Sequence, residues 1–493
     1  MNHSRLSHYL AKTPSQHQQS SAIAYLAALD HIESVAPNIA ASIIQELVDQ
    51  RSRLKLIASE NYSSLAVQLA MGNLLTDKYA EGYPHHRFYG GCSNVDTIED
   101  YAIHELKKLF SCEHAYVQPH SGADANLVAF WSILVHDVQN KEVERLGKKN
   151  LDELSSEEYE RIRQLMVNQK ILGMSLNSGG HLTHGYKHNV SSKMMQAFQY
   201  DVDPATELID YQALRLMAEQ VRPKILLAGY SAHPRKINFA TMREIADSVG
   251  ALLMVDMAHF AGLVAGKVFT GEFNPVPFAH FITSTTHKTL RGPRGGFLLC
   301  KSEYADTVNK GCPLILGGPL PNVLAAKAIA FKEANTESFC HYAEQVVKNA
   351  QVLAETLRSM GVRLVTGGTE NHMVILDLKR FGITGRHAET ALTKALLTVN
   401  RNAIPFDTQG PWYTSGIRIG TPALTTLGMG KIEMEEVASI IFDVLSHTTP
   451  APSEKGNLPS KAMCHVDQQV LDRSHARVKS LLMQFPLYPE IEC

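Results

Sequence analysis

The sequence predicts an α/β fold: a large domain with a mostly parallel sheet flanked by helices, followed by a smaller α+β C-terminal domain. Three observations lead there. Between about residues 110 and 300, short apolar runs (AYVQP, ILGMSL, KILLAGY, ALLMVD, HFITST, GFLLC) alternate with amphipathic stretches such as TMREIADSVG, the pattern of strands joined by crossover helices. From about residue 330 the order changes to one long helical run, KAIAFKEANTESFCHYAEQVVKNAQVLAETLRSMG. Strands near VRLVT and MVILDL follow, then helices near RHAETALTKALL and IEMEEVASIIFDVL. Finally, 493 residues exceed what one core organises, and domain-size priors point to roughly two to four folding units.

Taken in order, residues 1–20 are rich in Ser, His and Gln and read as a loose arm. Apolar residues then recur at helical spacing (Ile23, Leu26, Leu29, Ile32; Ile39, Ile43, Ile44, Leu47), and Pro37 divides two helices. The helix in TMREIADSVG ends on a C-cap glycine, Gly250. Two segments look inserted. Residues 139–170 hold 14 charged residues of 32, with Ser155 and Glu158 spaced as a capping box, which suits a solvated surface helix. Residues 447–466 read as a flexible linker before a final helix. The expected division is an N-terminal helical arm (1–80), a large domain (81–330) and a small domain (331–493), with no internal repeat.

Composition removes several function classes. Hydrophobic residues make up 44% and charged residues 19%, a soluble globular balance, and the formal net charge of −2 gives no reason to expect nucleic acid or an anionic membrane as partner. No apolar run reaches the ~18 residues of a membrane span, and the polar N-terminus lacks a signal core. Seven cysteines without a CxxC pair predict reduced thiols and a cytoplasmic protein.

The chemistry concentrates at predicted strand ends. ALLMVD delivers Asp256 to the C-terminal edge of the sheet, where α/β proteins bind ligands. Such an aspartate serves as a helix cap or, beside a pyridine ring, keeps the ring nitrogen protonated. About thirty residues on, FITSTTHKTLRGPRGG brings Thr285, His287 and Lys288 to the same edge before a Gly- and Arg-bearing turn. A lysine there is either solvated or, with its pKa lowered, a Schiff-base former. The strand–Asp, strand–Thr–His–Lys combination favours pyridoxal phosphate. QPHSGADANLVAFW places Ser121, Gly122 and Ala123 in a turn before a helix that begins near Ala125, and free amides at a helix start suit a phosphate. NSGGHLTHG offers paired glycines for close ligand approach and His181 for stacking on a ring. His181 and His184 also read as metal ligands, but no cysteine or carboxylate completes a recognisable spacing, and no metal is predicted. In YTSGIRIGTPALT, Arg418 suits a carboxylate, in a substrate or in a structural ion pair. Near the N-terminus Glu81 lies among Tyr79, Tyr83 and Tyr89, a wall that can raise a carboxyl pKa for proton transfer.

Together LIASENY, KYAEGYP, RFYGGC, QPHSG, GGHLTHG, VDMAHFAGLVAG, TTHKTLRGPRGG and SGIRIGTPA resemble serine hydroxymethyltransferase, over about residues 24 to 445. The resemblance implies a fold-type I pyridoxal-phosphate enzyme that moves the hydroxymethyl group of serine to tetrahydrofolate, by aldimine and quinonoid chemistry, in a cytoplasmic homodimer with shared sites. It implies Lys288 as the cofactor lysine and Asp256 on the pyridine nitrogen. His181 would stack on the ring, with His259 and Ser231 at its phenolic oxygen. Gly122 and the Ala123 amide would cradle the phosphate, with His287 nearby, and Ser121 and Thr285 would also bind the cofactor. Arg418 and Ser59 would bind the substrate carboxylate. Glu81 would handle the serine hydroxyl proton, while Tyr79 and Tyr89 reach the neighbouring subunit's site. Leu176, Leu182 and Asn402 would face the folate.

Departures from the family pattern are specific. Ala123 stands where a hydroxyl is usual, Pro313-Leu314-Ile315-Leu316-Gly317-Gly318-Pro319 replaces a glycine-rich turn, and Phe88 replaces a tyrosine. These predict weaker cofactor retention, and the 139–170 insertion is expected near the folate entrance. A threonine aldolase or amino-acid racemase would share Lys288 and Asp256. A non-catalytic RNA-binding relative is disfavoured by the intact lysine and the negative charge.

Overall fold

The computed structural model describes residues 4–453 and 459–492. Its centre is a seven-stranded sheet. We number its strands β1 (His114–Tyr116), β2 (Lys170–Met174), β3 (Gln196–Tyr200), β4 (Ile225–Gly229), β5 (Leu252–Asp256), β6 (Phe281–Thr285) and β7 (Gly296–Cys300). Their spatial order is β1-β7-β6-β5-β4-β2-β3. From β3 to β6 all neighbours run parallel. β7 runs antiparallel to both β6 and β1. The reason is chain length: the segment between Thr285 and Gly296 is shorter than the dozen or so residues that a parallel crossover needs, so the chain returns as a hairpin. Strand β3 (QAFQY) has only one fully buried residue, Tyr200, at the sheet's edge, and its weak apolar pattern hid it from the sequence.

Helices on both faces bury the central strands almost completely, Leu252 of β5 being the one partly buried residue, which is why β4 to β7 read as continuous apolar runs. The C-terminal region forms a four-stranded antiparallel sheet of β8 (Arg363–Leu364), β9 (Met373–Asp377), β10 (Asn400–Asn402) and β11 (Gly416–Gly420), ordered β8-β9-β11-β10. A second apolar core surrounds it, and Leu54 and Leu56 of the N-terminal region belong to that core. Leu54–Lys55 pairs in parallel with Leu397–Thr398, and Gly420 donates its amide to Leu56 O at 2.8 Å.

Four expectations are corrected. Residues 4–20 are not loose, residues 1–3 of that arm lying outside the described residues: Arg5–Lys12 is a helix capped by Ser4. Asp30 accepts from Ser4 Oγ and the Arg5 and Leu6 amides, Arg5 pairs with Glu33, and Tyr9 is buried. The long helix is two, Pro321–Ala334 and Glu337–Ser359, because Thr336 caps the second and Asn335 bonds to Glu105 instead of continuing the first. The 447–466 segment is a hairpin, with Thr448–Pro452 antiparallel to Pro459–Val466 and Thr384 donating to Lys461 O; residues 454–458 of that segment lie outside the described residues. The charged insertion forms the helix Ser156–Val167 with both halves of the capping box made, but it stands at the N-terminal edge of the sheet. It packs on Val135–Gln139 and Ser191–Met194, where Asp137 holds Lys224 at 2.6 Å just before β4. That is the edge opposite the cavity described next, so the insertion does not adjoin a ligand entrance there.

Candidate active site

The C-terminal ends of β5 and β6, the turn after β1 and the middle of β11 enclose a cavity of about 480 Å³, within the usual range for small-molecule sites of ~300–1,000 Å³. Its walls include Ser59, Ser121, Gly122, Ala123, His181 and Ser231 together with Asp256, His259, Thr285, His287, Lys288 and Arg418. Twelve predicted site residues from distant parts of the chain thus share one space.

Asp256 ends β5 and is almost fully buried. Asn126 Nδ2 donates to Oδ2 at 2.9 Å, His184 Nε2 lies 3.2 Å from the same oxygen, and the Ala258 amide donates to Oδ1 at 3.0 Å. Burial alone would raise its pKa, but the His184 bond and the nearby imidazoles and Asn126 outweigh burial. They hold the carboxyl well below the ordinary range, so it stays an anion. The tautomers follow from the backbone. His184 Nδ1 accepts from the His181 amide, so its proton sits on Nε2 and points at Asp256. His181 Nδ1 accepts from the Thr183 amide, and burial pushes His181 down to about 4. His181, His184 and Asp256 are close enough to suggest a metal site, but the His184 atom that would ligate already carries a proton for Asp256.

Lys288 follows β6 by three residues. Its carbonyl accepts from Asn61 Nδ2 at 3.0 Å, while its amine has no hydrogen bond or ion pair among the described residues. Burial, opposed by Asp256 and assisted by Arg418 and Arg294, lowers it to about 8. His287 beside it has a buried Nδ1 with no partner, and burial with the Arg294 and Lys288 charges lowers it to about 3. Such an orphaned polar atom facing a cavity is satisfied by a ligand or water.

Ser121 caps the helix Gly122–Leu134, its Oγ accepting from the Asp124 amide. The amides of Gly122 and Ala123 have no acceptor among the described residues and open on the cavity. Gly122 is required by packing: a Cβ there would lie 2.7 Å from Thr285 Cγ2. The Gly179-Gly180 pair was expected to admit a ligand. Instead it admits backbone, since added Cβ atoms would meet Ala232 O at 2.3 Å and Met174 O at 2.0 Å.

Arg418, on β11, donates to Ser231 O and to Asn400 Oδ1. No carboxylate pairs with it among the described residues, and burial lowers its pKa to about 10. His259 stacks on His372, Nδ1 to Nε2 3.2 Å, and burial with the nearby Lys288 and Arg418 charges keeps it neutral.

The remaining predicted residues do not line this cavity. Tyr79 and Tyr89 pack edge to face at 4.8 Å, are 53% and 50% exposed, and lie beside the Cys312–Gly318 loop. Glu81 stands next to them and raises the Tyr79 pKa. Leu176 follows β2, Leu182 is half exposed beside His181, and Asn402 bonds to Ala403 O on the strand next to Arg418. The sequence reading missed Asn126, Thr283, Tyr230, Arg294 and His372. Asn126, one helical turn after Gly122, was the one with a usable signal.

The pocket fits pyridoxal phosphate: an unpartnered amine, free amides with an orphaned imidazole for an anion, a permanent carboxylate and an unpaired guanidinium. Comparisons with known proteins agree. The family model described as serine hydroxymethyltransferase matches residues 32–142 and 157–441, skipping part of the charged insertion. A protein of Treponema pallidum (strain Nichols) named serine hydroxymethyltransferase is 56% identical over 492 residues, 100% of this chain and 86% of that protein. One of Chlamydia muridarum with the same name is 56% identical over 99% of both chains. A third, from Salinispora tropica, is 54% identical over 95% of this chain and 98% of its own. The chain belongs to the serine hydroxymethyltransferase family.

Proposed function

We propose that the residues lining the Lys288 cavity run the reversible transfer of the serine hydroxymethyl group to tetrahydrofolate, giving glycine and 5,10-methylenetetrahydrofolate. The enzyme is a pyridoxal-phosphate-dependent transferase of serine–glycine and one-carbon metabolism. One observation carries the site assignment. A lysine without a partner, an arginine without a carboxylate and a carboxylate held ionised meet in one cavity.

Bound pyridoxal phosphate supplies the electron sink that takes up the bonding pair when serine loses its hydroxymethyl carbon. Lys288 would hold the cofactor through its amine. Asp256, kept anionic, would hold a proton on the ring nitrogen, and His181 would stack on the ring. His259 and Ser231 would face the ring oxygen. The Gly122 and Ala123 amides, Ser121, Thr285 and His287 hold the phosphate. Arg418 with Ser59 grips the amino-acid carboxylate and orients the bond to be broken. Leu176, Leu182 and Asn402 face the folate.

Glu81, Tyr79 and Tyr89 lie outside the cavity of their own chain; the two tyrosines are exposed, as are Phe88 and Leu314, and Glu81 is partly buried beside Tyr79. This supports a homodimer in which a second copy brings them to the site, Glu81 taking the serine hydroxyl proton. No helix is long and apolar enough to cross a membrane among the described residues. The proposed compartment is the cytoplasm, where the six described cysteines stay unbonded.

Glycine and tetrahydrofolate added to the purified enzyme test the reading. An intense long-wavelength absorbance band is expected only when both are present. Glycine binding without any folate response would point to an aldolase or racemase instead, which family membership disfavours.

A further inference from the structure

Beneath the phosphate-binding turn lies a charged side chain to which the reaction gives no role. Lys327, from the helix Pro321–Ala334, is 1% exposed and among the largest fully buried side chains of the molecule. Its ammonium donates to Val117 O at 2.6 Å, Pro119 O at 2.8 Å and Gly296 O at 2.9 Å. An ammonium has three N–H groups and a neutral amine two, so only the charged form satisfies all three carbonyls. No carboxylate pairs with it among the described residues; Glu99 and Asp124 act only from a distance, against a burial effect that pushes its pKa down to about 7. Glu99 is itself engaged by Arg87 and Gln118. An unpaired buried cation is costly and persists where it holds something in place.

What it holds is specific. Val117 and Pro119 lie between β1 and Ser121-Gly122, and Gly296 starts β7, the strand that returns from the Lys288 loop. The Gly296 amide donates to Pro119 O at 2.9 Å, and a Cβ on Gly296 would lie 2.2 Å from Ser121 O. A Cβ on Gly295 would meet Lys327 Cε at 2.5 Å, and the Gly295 carbonyl accepts from the Thr286 amide. No slack separates the lysine, the phosphate turn and the end of the Lys288 loop.

We propose that Lys327 is a positioning residue for cofactor retention: its ammonium staples the phosphate-binding turn at Pro119–Gly122 to Gly296 from beneath and sets a positive charge under the bound phosphate. The idea rests on the reading that the Ser121–Ala123 turn takes the cofactor phosphate, and its test separates the two. Hydrogen exchange is first measured on the unmodified full chain, freed of cofactor, with and without inorganic phosphate. Phosphate is expected to protect the amides of Ser121–Asp124 and of Gly295–Phe297 together. No protection at Ser121–Asp124 overturns the phosphate-turn reading and the staple with it. Protection there without Gly295–Phe297 overturns the staple alone. Lys327→Met is then compared with the unmodified enzyme. Phosphate affinity at least tenfold weaker and cofactor loss from the holoenzyme at least tenfold faster are expected, with kcat at saturating cofactor within threefold. Affinity within twofold of the unmodified enzyme, or a collapse of kcat at unchanged affinity, overturns the proposal. Should Lys327→Met not fold, the exchange pattern of the unmodified chain decides alone.

Discussion

The sheet-edge cavity and the Tyr79–Tyr89 loop carry comparable chemistry but are finished to different degrees. In the cavity wall Asp256 already has three donors, and His184 and His181 have their tautomers set by backbone amides. The loop is anchored just as firmly at its base, where Arg87 bonds to Asp96, Glu99 and the carbonyls of Ala80 and Gly82. Yet its aromatic tips project into solvent. A firmly held loop with exposed aromatic tips is built to meet another surface. On the proposed assignment, the contrast teaches that one chain prepares the cofactor's half of the site completely and the proton-handling half only in outline.

Breaking the finished half should have the largest effect. Asp256→Asn is expected to lower serine cleavage by at least about a thousandfold, because the ring proton is no longer held by a charge. A steady-state assay at saturating cofactor showing less than about a tenfold loss would remove Asp256 from that role. Next, Glu81→Ala and Arg418→Ala chains should each be inactive alone. Mixed and allowed to reassort, they should recover roughly a quarter of the activity if each site draws on two chains; no recovery in a mixture shown to exchange subunits breaks the shared-site reading.

Lys288 gives a pH signature of intermediate size. Only the neutral amine attacks an aldehyde, so the rate of pyridoxal phosphate capture by the cofactor-free protein should rise about tenfold per pH unit and level off above about 8. Asp256 raises the Lys288 pKa and Arg418 lowers it, so Asp256→Asn should move the plateau to lower pH and Arg418→Ala to higher pH. Stopped-flow absorbance reads both. The smallest effect is a gain: Ala123→Ser adds a hydroxyl at the phosphate turn, which at ~0.5–1.5 kcal/mol should tighten the cofactor about two- to tenfold. An unchanged dissociation constant would mean that this position does not reach the phosphate.

Strand ends were legible because buried parallel strands are continuous apolar runs and their C-terminal residues face the ligand edge; Asp256, Thr285 and Lys288 were readable in that way. Ser121 was readable as a helix cap. The antiparallel return of β7 was not read, although the short Lys288 loop encodes it. Thr283 and His372 left little trace, since each acts through contacts between segments more than a hundred residues apart, and Asn126 showed only as a position one turn into the helix after Gly122. The N-terminal helix was hidden because it is short and mostly polar, its polar groups held by Asp30 and Glu33 and its small apolar face, Leu6 and Tyr9, packed against Leu26 and the distant Leu487 and Ile491. Glu81 and the two tyrosines were placed at a shared site by resemblance, and a single chain leaves them facing outward.

The pairing of Leu54–Lys55 with Leu397–Thr398 has a mechanical consequence. The segment that runs on to Ser59 is bonded into the framework of the C-terminal sheet, through Leu56 to Thr398 and to Gly420 two residues after Arg418. Ser59 and Arg418 therefore travel as one jaw. Any rocking of the four-stranded sheet against the seven-stranded one would change the span from that jaw to Lys288 while leaving the proposed carboxylate grip of Ser59 and Arg418 intact.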